Sequence, residues 1–415
     1  MDDIFAIQTQ VAEEEAAKLQ ARLSPQEKEK LAQTPTDNIA AYNIYLKGRE
    51  EYYTYEPEAM KRAITYFKEA IALDPDFALA YAGLADAYNQ GSPIMMRFLP
   101  LAYVDSAIVL AEKALNLNPN SAEAYKAWGL GFDFKGDFDQ AIEKYQQAIS
   151  LNPNYTPALD NLANILSYTG RPDEAIPLHK KTIQINPLSF RSYSNLGQKY
   201  LILEMFEEAE EAYQQALILN PSAYFTHYNI AWLYGIQGQS DKAKQHLESL
   251  VAVDSSDPLL NEMATDIALG VDTKLFYYYA KQAMASDDFD PIVNYAVSLG
   301  MGHLLWEAGE QDSARTWVRP VLKSFLSQMK ESDDTGLAFN ISLCYASIGE
   351  KTEALHWLRK AIDLGYMDRT NLMTVRPLKN IQQEPEFKAM MDELDQKLTR
   401  MRMNVLAGEQ EIEKM

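Results

Sequence analysis

The residues best suited to metal binding or covalent chemistry are few in this sequence and lie far apart. There are five histidines and one cysteine, Cys344. The histidines are His179, His227, His246, His303 and His356. A zinc site on helices needs ligands at short fixed spacing, and we expect these scattered side chains to be packed or surface histidines instead. Cys344 lies in an apolar helical pattern that is typical of a buried, unreactive thiol.

Motifs for phosphate binding and nucleophilic catalysis are missing as well. Gly300-Met301-Gly302 lacks a third glycine and a preceding strand, so it indicates close helix packing. The sequence contains no nucleophile elbow, Walker loop or kinase signature. Its many Asp and Glu residues fall on outer helix faces, where water is the usual neighbour. We therefore expect no enzyme activity, no catalytic residue, no bound metal and no cofactor, since catalysis would need a domain that this chain lacks.

One polar series does suggest binding. Asn161, Asn195 and Asn229 recur at intervals of 34 residues, and Asn340 repeats the pattern later. A side-chain amide is both donor and acceptor, so a column of amides can pair with successive peptide groups of an extended chain. The alternative is that asparagine serves helix packing or solubility at this position.

The elements that position these amides repeat with the same period. Prolines stand at 119, 153, 187 and 221, and alanines at 141, 175, 209 and 243. Within one unit, Tyr125, Trp128 and Phe132 follow the i, i+3, i+7 spacing of a helix face. A glycine at 136 suits the turn, and a second helix carries Ala141, Tyr145 and Ala148 inward before Pro153 ends it.

Each unit is thus a helix hairpin with an apolar face that it cannot bury alone, so neighbouring hairpins must stack. With 47% hydrophobic residues and no alternating β-branched runs, the sequence predicts an all-α protein.

A period of 34 with this order of aromatic, small, aromatic, alanine and proline positions is the signature of tetratricopeptide repeats, and the chain closely resembles that family. The resemblance implies a right-handed α-solenoid with terminal capping helices, in which the first helix of each hairpin lines a concave groove. It places these residues in a peptide-binding groove: Asn161, Asn164, Tyr168, Arg191, Asn195, Gln198, Tyr228, Asn229 and Trp232. The repeat region of O-GlcNAc transferase has a similar asparagine ladder.

Family members that hold chaperone tails use Lys, Asn, Asn, Lys and Arg to clamp a carboxylate. Lys126, Asn161 and Arg191 match that pattern, whereas Leu130 and Asn195 do not. The carboxylate clamp is therefore the less favoured interpretation of the groove.

The register divides the chain into five segments. They are 1–40, amphipathic helices and a linker; 41–255, repeats 1–6; 256–291, a degenerate repeat; 292–366, two further repeats; and 367–415, a capping segment. Residues 89–105 form an insertion that either packs over the repeats or meets a partner. Four adjacent aromatics, 276–279, cannot all face one core.

Both ends show a second resemblance. Asp3 to Gln8, Pro35 to Asn38 and Val375 to Leu378 are similar to the junctions and ends of repeat regions in bacterial signalling proteins. In those proteins a TolB-type domain precedes the repeats, and an adenylate-cyclase or winged-helix output domain lies upstream. The resemblance implies that this chain is the carboxy-terminal part of a larger protein.

Charge and hydropathy limit the partners. The formal charge of −21 over 415 residues disfavours nucleic acid and anionic membrane surfaces. No run of about 18 apolar residues or signal-peptide pattern occurs, so a soluble chain is expected, cytoplasmic by default or on the outer face of a membrane-tethered parent. The oligomeric state stays open.

Two functions remain in view. The first is an interaction module that holds a protein or peptide in the concave groove. The second is a ligand-sensing module that controls an upstream cyclase or transcription-regulator domain.

Overall fold

The computed structural model describes residues 35–413 with gaps at 55, 93–94, 97, 254–256, 288 and 331–333, and in addition Gln10 and Glu14. The helices predicted within 2–32 otherwise lie outside the described residues and stay predictions. The described part contains helices, turns and bends but no strand. Within it, no helix has the length and apolar character needed to cross a membrane.

The chain divides into two compact units, Met1–Pro153 and Asn154–Met415. The described part of unit 1 holds three hairpins. Their helices are α1 (Ile39–Tyr52), α2 (Pro57–Leu73), α3 (Ala78–Gly91), α4 (Ala102–Leu117), α5 (Ala122–Phe134) and α6 (Phe138–Leu151).

Unit 2 holds six hairpins and a terminal segment. The hairpin helices are α7 (Thr156–Tyr168), α8 (Pro172–Ile185), α9 (Phe190–Ile202), α10 (Phe206–Leu219), α11 (Tyr224–Ile236), α12 (Ser240–Val251), α13 (Pro258–Val271), α14 (Thr273–Met284), α15 (Tyr295–Glu307), α16 (Gln311–Gln328), α17 (Thr335–Ser347) and α18 (Lys351–Asp363). The terminal segment contains α19 (Arg369–Thr374), a 3₁₀ turn (Arg376–Asn380) and α20 (Pro385–Glu413). The all-α fold of paired helix hairpins is confirmed for the residues that the structure describes.

Local sequence explains where the helices begin and turn. The Ser121 hydroxyl and the Asp137 carboxylate accept backbone N–H groups at the starts of α5 and α6. Glycines at 136, 170 and 238 take positive φ angles of 74°, 79° and 71° in the turns inside their hairpins. These angles suit glycine because it has no Cβ, as the sequence predicted for Gly136.

The hairpin core follows the predicted pattern. Ala141, Tyr145 and Ala148 are fully buried. A Cβ placed on Gly129 would lie 2.8 Å from the ring of Tyr145, and one on Gly197 would lie 2.6 Å from the ring of Tyr213. The glycines therefore let an aromatic ring from the second helix lie against the backbone of the first.

The two irregular segments are partly buried. In the 89–105 insertion, Met96, Phe98 and Leu99 pack against the core of unit 1, whereas Met95 and Leu101 are exposed. Of the four adjacent aromatics, Phe276 and Tyr279 are buried, and the two tyrosines between them are exposed. The i, i+3 spacing of the buried pair is that of one helix face, as expected.

The terminal helix α20 buries one row of apolar side chains, Phe387, Met390, Met391, Leu394 and Leu398. Arg359 of α18 donates to Glu393 of α20 at 2.7 Å. The cap also extends beyond the last hairpin, because Asn404 donates to Asp173 of α8 at 2.9 Å.

Replacing Tyr213 by alanine should lower the free energy of unfolding of unit 2 by about 3–5 kcal/mol, because the side chain is fully buried and its loss leaves a cavity. The matched control is Tyr278→Ala, in an exposed part of α14, which should cost less than about 1 kcal/mol. Urea denaturation checks both variants. Equal losses would show that Tyr213 does not hold its hairpins together.

Candidate functional site

A cavity of about 430 Å³ lies in unit 2. First helices of its hairpins form most of the wall, and the stretch from Gly365 to Pro377 closes it. The cavity carries aromatic rings from several of these elements. They are Tyr168, Tyr228, Trp232, Tyr295, Phe339 and Tyr366. A concave, mostly apolar space with a few polar groups is the usual form of a binding site.

The carboxylate of Asp266 is a central polar group of this wall. The hydroxyl of Tyr228 donates to its Oδ2 at 2.8 Å. Its side chain is open to the cavity, but the surrounding helices displace bulk water, and this desolvation raises the pKa of Asp266. Burial and the nearby Asp266 charge raise the pKa of Tyr295 to about 12, so this phenol stays neutral at physiological pH.

The closing stretch supplies a second polar group. Asn371 is buried, and its Nδ2 donates to the hydroxyl of Tyr366 at 2.7 Å. Its Oδ1 has no hydrogen-bond partner among the described residues. The ring of Tyr366 stacks on Phe339 of α17 with centroids 4.5 Å apart. Asp368 accepts the backbone N–H of Asn371 at 2.8 Å, and burial raises the pKa of Asp368 to about 6.

Arg376 also lines the cavity, but its charge is neutralised. Its guanidinium donates to Glu307 and to Thr273, both at 2.8 Å. His303 lies 3.3 Å from Glu307 at i,i+4 spacing. His303 is therefore less isolated than its scattered position in the sequence suggested, but its neighbour Glu307 is part of an ion pair with Arg376.

The stretch from Gly365 to Pro377 forms part of the cavity wall because this part of the chain returns to the first hairpin of unit 2. A Cβ on Gly365 would lie 2.7 Å from the backbone carbonyl carbon of Thr169, in the α7–α8 turn. Gly365 has a φ of 111°. Backbone meets backbone here, which only glycine allows at such a distance and angle.

Glu204 holds the stretch from Gly365 to Pro377 and the helix α20 against this part of unit 2. It lies in the α9–α10 turn with φ 58°, 34 residues after Gly170 and 34 before Gly238, where the neighbouring repeats have glycine. Its carboxylate accepts hydrogen bonds from Arg369 at 3.1 Å, Thr370 at 3.0 Å and Arg402 at 3.1 Å. A non-glycine residue in the left-handed region costs about 1–2 kcal/mol, which these charge-assisted bonds offset.

The predicted groove residues separate into two groups. Those that line the cavity are Tyr168, Gln198, Tyr228, Asn229 and Trp232, and the later asparagine, Asn340, joins them. Those outside its wall are Asn161, Asn164, Arg191 and Asn195. The amide of Asn229 makes no hydrogen bond within the part of the chain that the structure describes. Sequence reasoning missed Asp266, Tyr295 and the whole closing stretch.

Lys126, the first residue that matches the carboxylate-clamp pattern, is already paired within the protein. In unit 1, Lys126 is buried and donates to both oxygens of Asp86 at 2.7 and 2.9 Å. The same carboxylate accepts the hydroxyl of Tyr52 at 2.7 Å. An ammonium already paired in this way is not free to hold the carboxylate of a partner.

Other titratable groups are structural. His227 and His246 face each other through their Nδ1 atoms at 3.0 Å, and burial with the neighbouring imidazole lowers the pKa of His246 to about 4. Cys344 is buried as expected, and desolvation raises the pKa of its thiol. Across the described residues, no three His, Cys, Asp or Glu side chains are grouped to hold a metal ion.

Comparison with protein families finds known repeats in part of the chain. Models of the tetratricopeptide repeat match residues 135–200, 190–223, 212–245 and 336–364. The chain carries tetratricopeptide repeats in these segments, and proteins built from such repeats generally mediate protein–protein interactions and are generally non-catalytic.

Solved structures with a similar fold are repeat proteins too. PilW, a widely conserved type IV pilus biogenesis factor, is 20% identical over 51% of this chain and 94% of its own, with a TM-score of 0.44. PilF of Pseudomonas aeruginosa is 22% identical over 50% of this chain and 90% of its own, with a TM-score of 0.42. YrrB, a repeat protein with an unusual peptide-binding site, is 20% identical over 47% and 95%, with a TM-score of 0.35. Comparison with curated proteins found no match.

Replacing Glu204 by glycine should release the closing stretch, since it removes the acceptor of three hydrogen bonds but relieves the backbone. Amide hydrogen exchange in α19 and α20 should rise by about tenfold or more. The control is Glu211→Gln, on the exposed face of α10, which should leave exchange unchanged. Unaltered exchange in the Glu204 variant would mean that other contacts hold the segment.

Stability should also respond to pH through Glu262 of α13. Burial raises the pKa of Glu262 to about 7, above its ordinary value of 4.5, although its Oε1 accepts the backbone N–H of Ala296 at 2.7 Å. The folded state therefore holds a proton between pH 4.5 and about 7 that the unfolded state has lost, and stability falls as pH rises through this window.

Glutamine at 262 keeps the acceptor but cannot ionise. We expect Glu262→Gln to be more stable than the parent by about 1–3 kcal/mol at pH 8 and nearly equal to it at pH 4. Urea denaturation at both pH values measures this difference, with Glu211→Gln as the control. A constant difference across the range would contradict the prediction.

Proposed function

We propose that this chain is a protein-interaction module and that the cavity of unit 2 is where it holds a segment of the partner polypeptide. The observation that carries the proposal is that residues predicted for the groove from the repeat period converge there with aromatic rings. Tyr168, Tyr228 and Trp232 supply apolar contact area, and aromatic anchors usually dominate peptide interfaces.

The closing stretch limits what can enter. A groove that is open at both ends accepts a long extended peptide, whereas this cavity is bounded by the stretch from Gly365 to Pro377. The occupant proposed here is therefore short: one anchor side chain with a few flanking peptide groups. The unpaired amide of Asn229 is a ready donor and acceptor for such groups.

In its wider setting, the module is proposed to be the carboxy-terminal binding or regulatory region of a larger bacterial signalling protein. The support is the sequence similarity of its ends to the repeat regions of TolB-type signalling proteins. A partner held in the cavity would then recruit or control the output domain upstream.

A second candidate is a sensor for a small molecule. The volume of the cavity favours it, because about 430 Å³ lies within the ~300–1,000 Å³ range of small-molecule sites. A metabolite thermal-shift screen on the parent and on Trp232→Ala separates the two candidates: a sensor gains stability from a metabolite, and the gain disappears in the variant.

Site-specific photocrosslinking tests the interaction module. Benzoylphenylalanine at Gln198, on the cavity wall, should capture a discrete partner from lysate, and Trp232→Ala should abolish the capture. The matched control carries the same label at Gln214, on the exposed face of α10. Equal capture from both positions, or capture that survives Trp232→Ala, would place the interface elsewhere.

The captured partner segment then allows the asparagines to be compared in pairs. Asn229→Ala with Asn340→Ala should weaken binding of the synthetic peptide by about 1–3 kcal/mol and leave the melting temperature nearly unchanged. Asn161→Ala with Asn195→Ala is the matched pair outside the cavity. If both pairs bind as the parent does but melt lower, the asparagines are structural.

A further inference from the structure

The cavity of unit 2 has a chemical character that its role in peptide binding does not require. Its wall combines aromatic rings with the carboxylates of Asp266 and Asp368, and its one cation, Arg376, is paired with Glu307. The described wall is therefore net negative as well as aromatic. An anionic ligand would meet repulsion there.

We infer that the cavity binds the cationic group of an organic amine or guanidine, with Asp266 as the counter-ion and the surrounding tyrosine and tryptophan rings as its apolar enclosure. The inference rests on the proposed function, since it takes the same cavity as the binding site. It adds the chemical class of the group that is recognised.

The geometry at Asp266 favours a cation over a neutral ligand. Oδ2 already accepts the hydroxyl of Tyr228, whereas Oδ1 has no hydrogen-bond partner among the residues that the structure describes. This carboxylate is accessible from the cavity, and the helices around it desolvate it and raise its pKa, so a compensating positive charge would stabilise its ionised form. An ammonium or guanidinium offers several donors and a compensating charge in one group.

The aromatic rings of the cavity also favour a cation over a neutral ligand. Trp232, Tyr228 and Tyr295 line the cavity with Asp266, and the faces of such rings attract cations. The hydroxyls are neutral, because burial raises the pKa of Tyr228 and of Tyr366 well above the usual range. The buried amide of Asn371 adds an acceptor, Oδ1, with no partner among the described residues.

A different candidate at the same site, a purely apolar anchor such as leucine, fits less well. It would leave Oδ1 of Asp266 desolvated with no compensating donor, at the cost that accompanies any unpaired buried polar group. A cationic group satisfies the carboxylate and contacts the rings at the same time.

Titration calorimetry on the full chain tests the inference with choline and agmatine as free probes. The neutral carbon isostere of choline, 3,3-dimethylbutanol, is the matched control ligand. We expect saturable binding of at least one cation, about tenfold or more tighter than the isostere, and a loss of about tenfold or more in Asp266→Asn. Glu211→Gln removes one negative charge outside the cavity and should bind as the parent does.

Tyr228→Phe is a second, milder variant in case Asp266→Asn fails to fold. It keeps the aromatic ring and removes only the hydroxyl that donates to Asp266. It should keep the discrimination between cation and isostere. The inference would be overturned if the isostere bound as tightly as choline, or if Asp266→Asn bound the cations as tightly as the parent does. It would also be overturned if neither cation bound and the peptide comparison described next showed no preference for charge.

The peptide arm separates this inference from the proposed function. It compares the partner segment captured by crosslinking with copies in which each lysine or arginine is replaced by norleucine or citrulline. If the neutral copy binds as tightly at the cavity, the proposed function stands and the cation inference fails. If choline or agmatine binds through Asp266 but no partner segment does, the cation inference stands and the interaction module fails.

Discussion

The contact on which the hairpins depend is that of a small residue on the first helix with a large one on the second. Gly129 and Gly197 each allow a tyrosine ring to lie against the helix backbone, at distances where a Cβ would collide with it. In the hairpins with alanine at 163 and at 231, the large position holds His179 and Leu247, and all four residues are buried. The methyl group of alanine occupies part of the space that the tyrosine ring fills opposite glycine, so the two positions together keep the space between the helices filled.

This complementarity explains why so much of the fold could be predicted. It acts between residues 16 apart within one hairpin, and it recurs every 34 residues, so a single sequence displays it several times. The cavity is different. Glu204 and Arg369 are separated by 165 residues, and Asn404 and Asp173 by 231, and no periodicity relates such positions. One sign was nevertheless present in the sequence: Glu204 occupies a position where the repeats before and after it have glycine.

The same distinction applies to the residues proposed for binding. Tyr228, Asn229 and Trp232 could be predicted to lie together because the family resemblance implies which side of a first helix is concave. Asp266 could not, because it lies in the segment where the register is lost after residue 255. Degenerate repeats keep the helical hairpin, which needs only apolar faces that fit, but they are free to place a charged side chain where regular repeats have amides. The most distinctive electrostatic feature of the cavity thus arises where the pattern is weakest.

Closure and binding should be energetically linked. Tyr366 and Asn371 belong to the closing stretch and also line the cavity, while Arg369, in the same stretch, is held by Glu204. A ligand that contacts Tyr366 or Asn371 interacts only with the closed form, so it stabilises docking of the stretch by the free energy of those contacts. Linkage requires the reverse to hold to the same extent, and any change that weakens docking must weaken the ligand. If the proposed ligand binds there, the glutamate in the α9–α10 turn should contribute to its affinity without touching it, while its bonds to Arg369, Thr370 and Arg402 offset the strain of its backbone.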